Sequence, residues 1–441
     1  MTLRAPAGDL LALFSAIPAR ARRLCLLQGQ GEGGFVDTLA WEPAAVLEGS
    51  CSAPRDGAQR DTAPRAAPQP DPRQQLESFV AEQTARGRLC IGFCSYELGH
   101  HLHGLPLRSK PGPRLPDYCW LAYDSWLTRE ADSWVLRGPE QRLARELVAA
   151  RERASRAEEV AQSFEPIQFR AALSPEQYGA AYRRIAEYIR AGEIYQVNLT
   201  HQLRGQSRLP ARSLFPFVAR SNPVEHLAYL EGDGYAIHSA SPERFVHIRQ
   251  RAIETVPIKG TRPRGADPEQ DGARLAELWA SEKEAAELHM ITDLLRNDLA
   301  EVCVPGTVRV AESRAVRASP KVWHTASRIT GTLRADLEPF AAVLRMLPGG
   351  SISGCPKRRA LQIIDELEQV ERGVYTGVIG RIDPDGTCDF SVAIRTLVQQ
   401  GSDVFLSVGG GIVYDSVLDQ ELAETLLKAS SFNNLPARLD P

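Results

Sequence analysis

An α+β fold built on large antiparallel sheets is what this sequence predicts, on three observations. Short β-rich runs arrive in groups, at 227–230, 235–238, 373–382 and 404–408, among glycine-containing turns. Helical stretches lie between the groups, at 176–192, 272–299, 337–345, 357–368 and 419–432. Strands that gather ahead of helices argue against the strict βαβ alternation of a parallel sheet, and no repeat of fixed period intervenes. At 441 residues, 43% hydrophobic and 24% charged, the chain can bury one large core or two ordinary ones.

From the amino terminus, the first apolar run is Leu10 to Ile17, followed by Arg20, Arg22 and Arg23. It is too short to cross a bilayer and has no small-residue cleavage signature. Residues 51–73 hold five prolines and no hydrophobic period, so they cannot offset the entropy of ordering a core and are predicted to be a flexible surface insertion. Leu143, Leu147, Ala150 and Ala154 recur at helical spacing among alternating charges. That pattern predicts an exposed helix over 139–162 at an internal boundary, dividing the chain into 1–165 and 166–434. Both parts are expected to form one body.

Fifty-two basic and fifty-five acidic side chains leave a formal charge of -3, which excludes a global field for nucleic acid or an anionic membrane. Any anion must be held by local groups. The eight cysteines are scattered singly, with no CxxC pair, so a reducing cytoplasm is the expectation.

Candidate chemistry begins at Pro257–Gly265, PIKGTRPRG. Two guanidiniums, Arg262 and Arg264, flank Lys259 and are expected to disfavour a third positive charge, so that its amine loses a proton and attacks carbon. Taken alone, such a lysine is more often a solvated loop residue. Glu287 lies on one helical stretch, and Glu421 and Glu424 stand three apart on another, hence on one face. Carboxylates from two helices suit a hard cation such as magnesium, although glutamates at helical spacing are commonly solvated and spacing alone does not choose. Two glycine-rich segments, PGGSISGCPK at 348–357 and Gly409–Gly411, are either tight turns or places where backbone N–H groups hold an anion. Lys357, Arg358, Arg395 and Lys428 supply local positive charge nearby. Glu243 and His324 are eligible acids or bases, a histidine beside Trp323 being more often a packing residue.

In order, EIYQVNLT at 193–200, SPERF at 241–245, PIKGTRPRG at 257–265, AAELHMITDLLRNDL at 285–299, PGGSISGCPK at 348–357 and GGGIVYDS at 409–416 resemble the chorismate-utilising enzymes. The ordered match covers about 190–432, and IGFCSYELG at 91–99 extends it toward the amino terminus. The resemblance implies two large, mostly antiparallel sheets packed face to face and flanked by helices, four layers in the order α/β/β/α. Within the family, anthranilate-forming members carry alanine where Lys259 stands, and members that aminate chorismate at C4 carry lysine. Isochorismate- and salicylate-forming members place a water-activating lysine at the position of Gln196. The pair Lys259 and Gln196 therefore resembles the branch making 4-amino-4-deoxychorismate for 4-aminobenzoate and folate. An anthranilate-forming enzyme is the alternative, and a sensor of chorismate or an aromatic amino acid is the non-enzymatic one.

That resemblance implies roles. Lys259 forms a covalent adduct at C2, Glu243 is the acid and base, and His324 lies against the ring. Glu287, Glu421 and Glu424 hold Mg2+ on the ring carboxylate. Tyr375, Arg395, Lys428 and the backbone at Gly409 and Gly410 bind the enolpyruvyl carboxylate, with Gly260, Thr261, Gly350 and Ser351 also lining the substrate. No cysteine has the Gly-x-Cys-x-Gly setting of a glutaminase, so a separate glutamine amidotransferase subunit is implied, and the short stretch after 432 leaves no room for a fused lyase. In relatives that hold tryptophan, the motif near the amino terminus ends in serine, whereas this chain has Leu26-Leu27-Gln28-Gly29.

Overall fold

The run Leu89–Cys94 is buried at every position, and its alternate side chains feed two different cores. Cys90 and Cys94 pack with Leu76 and Val80 of one helix and Ile291 and Leu295 of another. Leu89, Ile91 and Phe93 pack instead with Cys25, Leu27 and Ile237 from a second sheet. A strand wetted on neither face needs an unbroken apolar run, which is why its period is hidden in the sequence.

Extended to the whole chain, that arrangement gives four layers. The computed structural model describes residues 4–6, 10–29, 33–51, 71–130, 133–139, 164–319 and 322–439. One sheet of 12 strands runs Arg4–Pro6, Ser133–Arg137, Trp126–Glu130, Thr38–Ala40, Cys25–Gln28, His226–Glu231, Ala236–Ser241, Thr396–Gln400, Asp403–Ile412, Gln196–Gln206 and Arg170–Ala171, with Gly354–Cys355 added to Gln196–Gln206. The other, of 10 strands, runs Ile258–Pro263, Val322–Thr332, Ala252–Val256, Arg244–Arg249, Cys388–Val392, Val378–Ile382, Leu89–Cys94, Tyr118–Tyr123 and Ala45–Gly49, with Arg309–Ala318 added to Val322–Thr332. Neighbours within both sheets pair antiparallel, as in Leu89–Cys94 with Val378–Ile382 and Cys25–Gln28 with His226–Glu231. The predicted α+β class with two large packed sheets is therefore the observed one.

Helices cover the outer faces. Phe14 of Leu10–Ser15 and Leu214, Phe215 and Val218 of Ala211–Ser221 close the first sheet. The Pro72–Ala85, Glu282–Ala300 and Pro339–Met346 helices close the second. There Trp120, fully buried, meets Phe340 and Phe390 at centroid distances of 4.9 and 5.8 Å, a contact whose truncation to alanine costs about 3–5 kcal/mol.

Several boundaries differ from the sequence expectation. The single helix over 272–299 is two, Pro268–Ala280 and Glu282–Ala300, because Ser281 leaves helical geometry at ψ 104 and its hydroxyl accepts from Glu284 N at 3.4 Å. The run 373–382 is a strand only over Val378–Ile382, since Gly373 and Thr376 adopt φ 60 and 61 and form a turn. Among the described residues, no helix is long and apolar enough to cross a membrane. Most of the 51–73 insertion and almost all of the 139–162 helix lie outside the described residues.

Candidate active site

The strand Ile258–Pro263 carries Lys259 into the protein with a break in its ladder. Lys259 pairs with Thr325, yet Thr261 pairs with His324, so Gly260 is an extra residue in the strand. Its φ of 70 and its surroundings require glycine: a Cβ would stand 2.9 Å from Leu278 Cδ1 and from Glu284 Oε2. Lys259 is half-buried and close enough to Glu243 and Glu424 to depress the proton affinity of each. The two arginines expected to press on this amine are occupied elsewhere. Arg262 binds Glu277 and Glu284, both at 2.8 Å, and Arg264 binds Asp271 at 2.7 Å. Each guanidinium is neutralised by a carboxylate from a neighbouring helix, so the activation expected from them is corrected. The groups that face Lys259 are acids.

Glu243 sits at the turn after Ala236–Ser241, only 7% exposed, where Ser241 Oγ accepts its N–H at 3.2 Å. Burial pushes its carboxyl above the ordinary range, and a hydrogen bond from Ser351 with the charges of Lys259 and Lys428 offsets part of that rise. Lys428, on Leu418–Ala429, donates to Gly409 O at 3.0 Å and to Glu424 at 2.8 Å. Burial alone would raise Glu424, but Lys428, Lys259 and Lys283 outweigh it and hold it below its usual value. Glu421 goes the other way: burial raises it, Ser416 donates to it at 2.7 Å, and Glu424 and Glu287 add repulsion. Glu287 is 4.0 Å from Lys283. The three glutamates thus feel one another across two helices, with only lysines to balance them.

Three carboxylates are the donor chemistry a hard divalent ion takes. Among the described residues, however, no group of three or more His, Cys, Asp or Glu side chains is gathered so that it could hold a metal ion, and Lys283, Lys428 and Ser416 already partner these glutamates.

The two glycine segments serve differently from one another. In Gly350–Ser353 a Cβ at Gly350 would stand 2.6 Å from Leu294 Cγ and 3.2 Å from Asp298 Oδ2. Lys357 pairs with the same Asp298 at 2.7 Å. The lysine expected to lend positive charge at 348–357 is thus consumed by a buried acid of the chain, and of that segment Ser351 lies beside Glu243. Gly409 is pressed against Leu199 O, 2.7 Å from a Cβ placed there, whereas the nearest atom to a Cβ at Gly410 is Glu421 Oε2 at 3.5 Å. Gln196, 2% exposed, lies against Gly411. Tyr375 lies beside Asn198 and Thr200, the residues that border Gly409, and burial pushes its hydroxyl well up. Behind them Arg372 and Glu368 form a buried pair at 2.6 Å. Arg372 also donates to Asn198 O and Ile352 O, and Glu368 accepts Thr200 N.

His324 and Arg395 form a second group around Glu225. Burial lowers His324, Glu225 opposes that, and Arg317 and Arg395 add to it, leaving a neutral imidazole at pH 7. His324 lines a cavity of about 920 Å³ with Glu225, Arg244, Arg264 and Arg317. Thr261 is exposed. Lys283, Glu225, Arg317, Asp298 and the Glu368–Arg372 pair were not anticipated. Two of these carried a sequence signal, an acid and a base four apart: Lys283 with Glu287, and Glu368 with Arg372.

Two facing sheets with a buried acid and an amine between their helices fit an enzyme fold, and the chain belongs to the chorismate binding enzyme family, which it matches over residues 23–434. It is 36% identical over 428 residues to aminodeoxychorismate synthase component 1 of Klebsiella aerogenes, covering 95% of this chain and 89% of that one. It is 39% identical over 262 residues to anthranilate synthase component 1 of Cereibacter sphaeroides, covering 59% and 52%. The structure of anthranilate synthase component I from Streptococcus pneumoniae TIGR4 superposes with a TM-score of 0.75 at 25% identity, covering 92% and 93% of the two chains.

Proposed function

We propose that this protein aminates chorismate at C4 to give 4-amino-4-deoxychorismate and water, the reaction of an aminodeoxychorismate synthase component 1, in the cytoplasm, with ammonia from a separate glutamine amidotransferase. The observation that carries this reading is the Lys259 amine lying within electrostatic reach of both Glu243 and Glu424. Once its proton has passed to solvent, the Lys259 amine attacks C2, the ring double bonds shift, and the C4 hydroxyl leaves as water with a proton from Glu243. Glu243 suits that step because burial keeps its carboxyl protonated to higher pH than a solvated one. Ammonia then attacks C4, the double bonds shift back, the C2–N bond breaks to free Lys259, and the proton of the new ammonium passes to the Glu243 carboxylate. Two easier displacements replace one hard one, and the enzyme returns to its starting form.

Glu287, Glu421 and Glu424 would hold Mg2+ arriving with the substrate, and the ion would supply positive charge to the ring carboxylate. Arg395, Lys428, Tyr375 and the main chain at Gly409 and Gly410 take the enolpyruvyl carboxylate, and neutral His324 packs against the ring. The Klebsiella aerogenes relative, similar along nearly its whole length, supports amination at C4. The Cereibacter sphaeroides relative supports a second reading, amination at C2 to anthranilate. Incubation with chorismate, Mg2+ and ammonium, followed by mass analysis before and after a lyase, separates the two. The expected product is the C4 amine, with Lys259→Ala inactive and no trappable adduct in that variant. Anthranilate as product, or wild-type turnover by Lys259→Ala, would overturn the reading.

A further inference from the structure

Arg372 is buried, 4% exposed, and nothing in the chemistry above uses it. A buried ion pair is weak evidence for stability, because well-packed apolar side chains do as well, so what its guanidinium holds is the informative part. Nε and Nη2 reach Glu368 at 2.8 and 2.6 Å. Nη2 also donates to Asn198 O at 2.7 Å, and Nη1 to Ile352 O at 3.0 Å and to Thr376 Oγ1 at 3.2 Å. The last of these leads to Tyr375. Thr376 Oγ1 donates in turn to Tyr375 O at 2.6 Å, and the Tyr375 N–H donates to Arg372 O at 3.1 Å. Both peptide groups of Tyr375 are thus tied to Arg372, one directly and one through a single hydroxyl. They hold a turn with Thr376 at φ 61, a left-handed conformation that a β-branched residue seldom adopts. On its other side Arg372 meets the strand Gln196–Gln206 through Asn198 O, and Glu368 accepts Thr200 N at 2.9 Å from the same strand, which pairs Leu199 with Gly410 and Thr200 with Gly409.

We propose that Arg372 is a positioning residue for the carboxylate-binding corner of the site. It sets Tyr375 and the Gly409–Gly410 main chain at one fixed spacing, so that both meet the enolpyruvyl carboxylate together. A guanidinium fork bonds a carboxylate, a hydroxyl and two carbonyls from one rigid group, whereas the compact ammonium of a lysine cannot span them. Losing the spacing weakens a contact made to substrate and transition state alike, and such a loss raises KM while leaving kcat near its original value. A merely structural ion pair has no such signature.

The inference rests on the proposed reading, in which Tyr375, Gly409 and Gly410 take that carboxylate, and its test separates the two. Chorismate binding to the full-length protein is measured by calorimetry without ammonia, beside KM and kcat with it. Thr376→Val cuts the link from Arg372 to Tyr375 O and leaves the ion pair with Glu368 in place. It should weaken chorismate about fivefold or more and raise KM to match, with kcat within about twofold. Thr376→Ser, which keeps the hydroxyl, should bind as wild type. In a Tyr375→Phe background Thr376→Val should weaken binding no further, since it acts through the tyrosine hydroxyl. Arg372→Lys, which keeps a charge opposite Glu368 without the fork, carries the same expectation should Thr376→Val fail to fold. Thermal melts accompany each variant. A Thr376→Val protein that melts earlier but binds chorismate as wild type would overturn the inference. So would Thr376→Ser binding no better than Thr376→Val, or equal losses in the wild-type and Tyr375→Phe backgrounds. Wild-type affinity in Tyr375→Phe would instead remove the proposed carboxylate subsite, and the inference with it.

Discussion

Thr325 donates its hydroxyl to the main-chain carbonyl of Lys259 at 2.5 Å. The bond fastens the strand one residue before Gly260 breaks the ladder, so the direction of the amine is set by a fixed carbonyl on one side and a bulge on the other.

Gly260→Ala should therefore damage both fold and chemistry. The new Cβ meets a positive φ and two atoms at 2.9 Å, a cost of about 1–2 kcal/mol. Urea melts should show that loss, and kcat should fall by more than about tenfold as the amine is re-aimed. Full activity in a destabilised protein would show that the bulge does not position Lys259.

The Arg372–Glu368 pair offers a cleaner stability prediction. Arg372→Met leaves Glu368 buried without its cation, and such a change costs about 3–5 kcal/mol. The double change to Met at 372 and Leu at 368 should recover much of the loss in guanidinium melts, because no uncompensated charge remains. It should not recover activity, since Asn198 O and Ile352 O lose their shared donor.

Divalent-ion dependence tests the proposed role of Glu287, Glu421 and Glu424. On that proposal Glu424→Gln should raise the Mg2+ needed for half-maximal turnover by about tenfold or more, with weaker Mn2+ binding seen by electron paramagnetic resonance. Turnover that survives chelation would remove the metal from the proposal.

Stability should fall at both ends of the pH scale. Burial pushes His201 down to about 4, and His226 and His238 down to about 3. Unfolded imidazoles titrate near about 6.5, so the unfolded chain binds more protons below that value and stability falls as pH drops from 6.5 toward 3. Glu97 has the opposite sign. Burial first, then Asp117 and Glu371, raise it to about 8, and an unfolded glutamate titrates near about 4.3. The folded chain then holds the extra proton, and its stability is lost as pH rises through 8. Melting temperature against pH should show both limbs, and Glu97→Gln should flatten the alkaline one.

Candidate residues were legible where they sit in short, dense motifs. Glu243, Lys259, Glu287, Glu421, Glu424 and Lys428 come from four segments, which charge interactions link in the structure. The error at Arg262 and Arg264 came from counting neighbours along the chain: Glu277, Glu284 and Asp271 are sequence-distant until the Gly260 bulge and the break at Ser281 fold two helices over the strand. Asp298 was not anticipated because nothing in DLLRNDL hints at a lysine 59 positions on. The antiparallel sheets were visible in the grouped strands. Their order was not, since register between doubly buried strands is decided by partners hundreds of residues away.

Residues 89–94 wait for 378–382, and 25–28 wait for 226–231, before either can complete its ladder. While this polypeptide is being translated, the earliest strands must stay soluble with Ile91 and Phe93 uncovered until most of the message has been read. Such long-range wiring slows folding and exposes sticky edges, so production in a host should respond strongly to chaperone supply and to lowered growth temperature. Chains cut in the middle should form inclusion bodies rather than half-sized working units.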